Sequence, residues 1–272
     1  MTKPVLTARA FLVRGLVVGL LAGIAAFLVA YQVGEPHVER AIALEEAGTS
    51  AEPDSVTEHS HKAGAGAHSH SDEDGGTVVS RSMQRTFGLA TGTVAAGVAL
   101  GGIVALVSAG IVGRLGTLTP GQSTAVVALV GFVSFALVPF LKYPATPPAV
   151  GSAATIGERT AYYFAFQLVS VVVAIIAVTL ACQIWTKVGA FEAVVISAAV
   201  YVVAVTVAGI ALPTVNELGD FPADTLWFFR RASLFTLTTM WAALGVGLTG
   251  AIRSLHRQDR ATIARRELAA SL

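Results

Sequence analysis

The sequence predicts an all-α integral membrane protein with about six transmembrane helices. Of its 272 residues, 54% are hydrophobic and only 13% are charged, and the mean hydropathy is +0.70. Soluble domains carry about a quarter charged residues, so this chain has too few charges to cover a water-facing surface. The charges are also unevenly placed and leave six long uncharged stretches. The net charge of +1 gives no indication of nucleic-acid binding.

Each uncharged stretch is long enough to cross a bilayer. A transmembrane helix needs about 20 apolar residues, and a helix satisfies its own backbone hydrogen bonds inside lipid. The predicted spans cover residues 12–33, 88–112, 122–141, 162–184, 191–212 and 233–252. We expect the first span to be retained and not cleaved as a signal peptide, because no small-x-small cleavage site follows it.

Lys and Arg residues predict the orientation of the chain. Lys3, Arg9 and Arg14 precede the first span, and arginines follow the last one. Basic residues favour the cytoplasmic side, and an even number of spans places both ends there. The predicted divisions are a first span (1–33), an outer loop (34–87), a five-span bundle (88–252) and a basic cytoplasmic tail (253–272).

The outer loop over 34–87 contains the most distinctive composition. We expect a short helix near Pro36, followed from residue 49 to residue 76 by a disordered segment that cannot bury a core. Within it, HSHKAGAGAHSH and the acids that follow offer imidazole and carboxylate ligands for a transition metal. The candidate ligands are His59, His61, His68, His70, Asp72 and Asp74. A solvated low-complexity loop without function remains the alternative.

Glycines recur every four residues on the first two spans, at Gly15, Gly19 and Gly23, at Gly88 and Gly92, and at Gly97 and Gly101. Small residues at this spacing let helix backbones approach closely. The pattern predicts close packing within the chain or, alternatively, docking of a partner span.

Several enzyme and pump signatures are absent from the sequence. It has no GxxxxGK[ST], HExxH or GxSxG motif, so we expect no enzymatic activity. The predicted span interiors contain glutamines but no acid or histidine of the kind that a self-contained proton-coupled pump carries in mid-membrane. This favours a permease or a substrate-capture subunit.

Three outer motifs together resemble one family. GEP follows the first span, PFLKYPATPP follows the third, and LPTVNELGDFPADTLWFFRRAS precedes the last. The chain thereby resembles CbtA, the predicted cobalt transporter subunit of bacteria, over nearly its whole length. The resemblance implies a multi-pass protein of the bacterial cell membrane, cobalt uptake, and a small single-span CbtB-like partner. Its motif positions are Glu35, Pro36, Lys142, Tyr143, Pro144, Pro147, Pro148, Pro213, Asn216, Glu217, Phe221, Pro222 and Arg230.

The acids and histidines of these outer motifs predict a second ligand set, near the membrane. We expect the His-rich segment to collect Co²⁺, with Ni²⁺ or Zn²⁺ as alternatives, and to pass it on. The receiving site would use Glu35, His37, Asn216, Glu217 and Asp220. We expect no tightly bound cofactor, and self-association stays open. A metal-binding sensor or assembly scaffold without transport activity is the alternative function.

Overall fold

The computed structural model describes residues 6–51 and 80–271, which form helices and connecting segments but no strand. Six helices are long and apolar enough to cross a membrane, which confirms the predicted fold class. They are α1 (Ala8–Val29, a π turn Ala30–Gly34, Glu35–Ala51), α2 (Arg81–Met83, a π turn Gln84–Gly88, Leu89–Ile111), α3 (Pro120–Gly131, a π turn Phe132–Leu137, Val138–Lys142), α4 (Ile156–Val188), α5 (Ala190–Ala211) and α6 (Ala223–Ala270).

The π turns of α1 and α3 each end two residues before a proline, at Pro36 and Pro139. A proline inside a helix has no N–H, and its ring clashes with the carbonyl four residues earlier. A π turn widens the helix locally and accommodates this misfit. Residues 34–51, which the sequence predicts to be a loop with only a short helix, are therefore helical and continuous with the first span.

The last helix is longer at both ends than its predicted span. The predicted spans 191–212 and 233–252 leave residues 213–232 as a connecting loop, whereas α6 begins at Ala223, directly after Pro222. A proline is tolerated at a helix start because N–H groups there have no intrahelical partner. No further proline follows, and α6 includes the basic residues after 252 that we expected to form a tail. The aromatic and basic residues of WFFRR thus lie on a helix.

Glycines allow α1 and α2 to touch backbone to backbone. A Cβ atom added to Gly23 would lie 2.7 Å from the Thr93 carbonyl oxygen, and one on Gly19 would overlap the Gly97 carbonyl. Gly15 and Gly101 block each other in the same way. The prediction of close packing within the chain is confirmed for these residues.

The other predicted glycine pair, Gly88 and Gly92, does not take part in this contact. A Cβ on Gly88 would come no closer than 3.8 Å to a neighbour, and one on Gly92 would meet nothing within 4 Å.

The buried core lies where α6 crosses α1, α2 and α3. α6 contributes Trp241, Leu244, Leu248 and Ile252, all nearly inaccessible. α4 and α5 form a separate antiparallel pair, joined by a reversal at Gly189 with φ +95°. This pair is connected to the remaining helices mainly through the C-terminal half of α3.

A proline and a glutamine create the connection between α3 and α4. Pro139 has no N–H to offer the Phe135 carbonyl, four residues earlier. Gln167 of α4 donates to that carbonyl instead, with an Nε2–O distance of 2.8 Å. Gln167 is buried, so the bond satisfies its polar side chain and gives the Phe135 carbonyl a donor that Pro139 cannot supply.

Candidate functional site

The candidate site lies at the end of the bundle that carries the three outer motifs. Glu35 and His37 are on α1, just beyond its π turn, while Asn216, Glu217 and Asp220 lie in the connection 212–222 between α5 and α6. The predicted collector ligands His59, His61, His68, His70, Asp72 and Asp74 lie outside the described residues.

Two ion pairs join α1 to α2 beyond the membrane-spanning glycine contact. The Arg81 guanidinium donates to the Glu35 carboxylate at 2.6 Å, and Arg85 contacts Glu39 in the same way. Glu35 is buried, with 9% of its surface exposed. The two carboxylates are four residues apart on α1 and the two arginines are four residues apart on α2, so each pair lies on one face of its helix. The Arg85 guanidinium also lies 5.8 Å from the centre of the Tyr31 ring, in the π turn of α1.

His37 is held against the first turns of α6. Its ring stacks on Phe228 at a centroid distance of 5.7 Å, with the ring planes 10° apart. The Arg231 guanidinium lies 4.8 Å from the centre of the Phe228 ring, as a cation–π contact. Nδ1 of His37 is buried and has no hydrogen-bond partner within the described part of the chain.

Glu217 links the 212–222 connection to the residues just before α4 by hydrogen bonds. Its Oε2 accepts hydrogen bonds from the Ser152 backbone N–H at 3.0 Å and from the Thr155 hydroxyl at 2.8 Å. The Arg159 guanidinium lies 3.7 Å away. The Ser152 and Thr155 hydrogen bonds, and after them the charge of Arg159, lower the pKa of the Glu217 carboxyl, because each favours the ionised form.

The proline-rich motif is held by three hydrogen bonds to backbone carbonyls. Lys142 Nζ donates to the Leu212 carbonyl at 3.3 Å, and the Tyr143 hydroxyl donates to the Pro213 carbonyl at 2.8 Å. In the opposite direction, Arg230 Nε of α6 donates to the Ala145 carbonyl at 3.4 Å. Prolines have no backbone N–H to donate. Side chains therefore donate the hydrogen bonds that hold this segment in place.

These contacts form one continuous network at the end of the bundle that is predicted to face outward, and we call it the outer network. The first turns of α6 connect its two halves, since Phe228 contacts His37 while Arg230 contacts the proline-rich segment. The partners of these site residues lie outside the predicted motifs: Arg81, Arg85, Ser152, Thr155 and Arg159. The four-residue spacing of Glu35 and Glu39, and of Arg81 and Arg85, places two acids on one helix face and two bases on another, and this is a signal that could have indicated charge pairing between α1 and α2.

The network does not assemble a complete metal site from the described residues. Within 6–51 and 80–271, no group of three or more His, Cys, Asp or Glu side chains could hold a metal ion. Glu35 and Glu217 are engaged by protein donors, whereas Asn216 and Asp220 are exposed. The predicted receiving residues are therefore at one end of the protein but are not gathered around one point.

A family model described as "Probable cobalt transporter subunit (CbtA)" matches residues 8–253 of the chain. The chain belongs to the CbtA family. CbtA membership, together with six apolar helices, makes this a multi-pass protein of the cell membrane. The description of CbtA as a subunit implies partner proteins. No curated protein and no solved structure matches the chain.

Proposed function

We propose that this chain is the membrane subunit of a divalent transition-metal uptake system, with Co²⁺ as its ion and a small single-span protein as its partner. The observation that carries the proposal is the match of residues 8–253 to a cobalt transporter subunit. The outer network supports it, because His37 and the carboxylates Glu35, Glu217 and Asp220 all lie at the end of the bundle that adjoins residues 52–79.

In this proposal the segment 52–79 collects metal, and the outer network receives it. His59, His61, His68 and His70 bind as neutral imidazoles, so collection weakens below pH about 6.5. Asp72 and Asp74 add oxygen ligands and negative potential.

Delivery to the bundle requires an exchange of partners at Glu35. Its carboxylate is paired with Arg81, so an arriving cation must displace the guanidinium before it gains the carboxylate. His37, two residues further along α1, offers an unpartnered buried nitrogen. Asn216 and Asp220 provide exposed oxygen ligands, and Glu217 can join them only by releasing Ser152 and Thr155.

Uptake of radiolabelled Co²⁺ tests the proposal in cells that carry the gene, with and without the single-span partner. We expect uptake with the gene to exceed that of empty cells, and Glu35→Gln to reduce it. Gly92→Leu, at a position with open surroundings on α2, serves as the matched control. Equal uptake in cells with and without the gene would reject the transport function.

The alternative function is a metal-binding sensor or scaffold. It is favoured by one observation: Glu35 is the sole charged residue among the buried polar side chains described, and the others are Ser, Thr and Gln. Deletion of residues 55–76 separates the two functions. A permease still transports at high external metal, whereas a scaffold loses metal binding and shows no uptake to recover.

A further inference from the structure

A large apolar cleft lies between α3, α4 and α5, away from the outer network. It has a volume of about 630 Å³ and opens beside the loop that connects α2 to α3. On α4 the lining extends from Ala174 to Thr186, about 18 Å at the rise of an α-helix. The hydrocarbon core of a bilayer is about 30 Å thick, so the cleft spans roughly one leaflet.

The polar groups of the cleft lie at its two ends. Arg114, in the α2–α3 loop, is at the mouth, and no Asp or Glu lines the described cleft. At the deep end, the Tyr201 and Ser170 hydroxyl groups share a hydrogen bond, with 2.8 Å between the two oxygens. Ser197 is buried there, and its hydroxyl has no partner within the described part of the chain. Between these ends the walls are Val, Leu and Ala, with Cys182 and Trp185.

This arrangement suits a ligand with a long apolar body and one anionic end. A metal ion would find no carboxylate or imidazole in the cleft. Arg114 can donate two parallel hydrogen bonds to a phosphate, and Trp185 is a residue type that occupies the membrane interface. Arg253 of α6 packs against Gly121 at the start of α3, so this end of the bundle is basic and attracts anionic lipid.

A single hydrocarbon chain suits the length and the apolar walls of the cleft. About 18 Å of α4 lines it, and its basic mouth lies at one end, so a chain can lie along the cleft with an anionic group at Arg114.

We propose that the cleft binds one anionic phospholipid, with an acyl chain between α3 and the α4–α5 pair and the phosphate against Arg114. The chain would fill the space that the α3–α4–α5 packing leaves open and would contact all three helices. The occupied cleft would thereby strengthen the connection of the α4–α5 pair to the rest of the bundle.

Native mass spectrometry of the full-length protein tests the site. The protein is released from mixed micelles of phosphatidylglycerol and phosphatidylcholine that have identical acyl chains. We expect one retained phosphatidylglycerol, and a loss of about tenfold in its retention for Arg114→Gln, as the loss of a charge-assisted hydrogen bond predicts. Lys187→Gln, at the same end of the bundle but outside the cleft lining, should retain the lipid.

A second pair of variants tests whether the lipid occupies the cleft. Ala177→Phe fills the cleft and should remove the bound lipid, whereas Ile176→Phe, at an exposed position on the same helix, should not. Glycerol phosphate at millimolar concentration should not displace the lipid. If it does, the site is a phosphate site at Arg114 without a chain-binding slot, and the proposal is wrong.

Cys182 provides a measurement that needs no substitution, because it is the single cysteine of the chain and lines the cleft. Its alkylation by N-ethylmaleimide should be slower in phosphatidylglycerol nanodiscs than in phosphatidylcholine nanodiscs. Equal alkylation in both lipids, equal retention of both headgroups, or lipid retention unaffected by Ala177→Phe would each overturn the proposal.

Discussion

The α1–α2 pair and the α4–α5 pair are built from similar apolar sequences but pack in opposite ways. In α1–α2, glycines bring the two backbones into direct contact and leave no room for a single added Cβ. In α4–α5, side chains meet side chains, one Ser170–Tyr201 hydrogen bond crosses the interface, and a cleft remains open beside it. Backbone contact tolerates no adjustment, whereas side-chain contact leaves space that a ligand can fill.

The largest effect is expected where the glycine contact is broken. Gly101→Leu places a side chain against the Gly15 carbonyl and the Gly19 backbone, neither of which can move without displacing α1. Overpacking typically costs about 1–3 kcal/mol and more where the obstacle is backbone, so we expect little folded protein. Gly92→Leu is the control on the same helix, and its elution by size-exclusion chromatography should match the wild type. A monodisperse Gly101→Leu protein would contradict the close packing.

The next effect concerns the α3–α4 connection. Gln167→Leu leaves the Phe135 carbonyl without its donor, which should destabilise the protein by about 1–3 kcal/mol in thermal unfolding. Pro139→Ala restores an N–H four residues after Phe135, so the double variant should recover most of the loss. Additive losses in the two variants would show that the Pro139 and Gln167 roles are independent.

A smaller effect is expected for the two ion pairs beyond the glycine contact. Breaking the pair of the buried Glu35 by Arg81→Gln leaves a carboxylate with little access to water, and should cost more than Arg85→Gln. Exposed pairs such as Arg85–Glu39 contribute about 0.2–1 kcal/mol, and salt should reduce that contribution. Thermal unfolding of the Arg81→Gln and Arg85→Gln variants at low and high salt compares the two losses of stability. Equal losses would show that the burial of Glu35 has no energetic consequence.

The smallest effect is expected at Glu217, where it depends on pH. The Ser152 and Thr155 hydrogen bonds and the nearby Arg159 lower the pKa of Glu217. Its contribution is therefore complete above the ordinary carboxyl pKa of about 4.3, and is lost as pH falls through the lowered folded-state pKa. Hydrogen exchange of the Ser152 amide, corrected for intrinsic rates, should accelerate on acidification. Glu217→Gln should remove this pH dependence, and an unchanged response in that variant would assign it to another group.

The candidate site was less predictable than the fold. Charge spacing identified the membrane segments, and the motifs supplied the candidate site residues, because composition and local pattern depend only on neighbours in the chain. The partners of those residues were not identified. Arg81 is 46 positions from Glu35, and Ser152 is 65 positions from Glu217, so these pairings depend on how the helices pack. The pairings also give Glu35 and Glu217 a structural role, which residue type alone does not reveal.

The sequence by itself determined the number of membrane helices and the glycine face of α1, because hydrocarbon requires long uncharged helices and close backbone approach requires small residues. Only the tertiary structure decided which glycines meet, that helices continue through Pro36 and Pro139, and that a cleft opens between α3, α4 and α5. The physical reason is that these features arise from one helix fitting against another. Which glycines meet and where a cleft opens depend on residues that are distant in the sequence, and no local pattern records them.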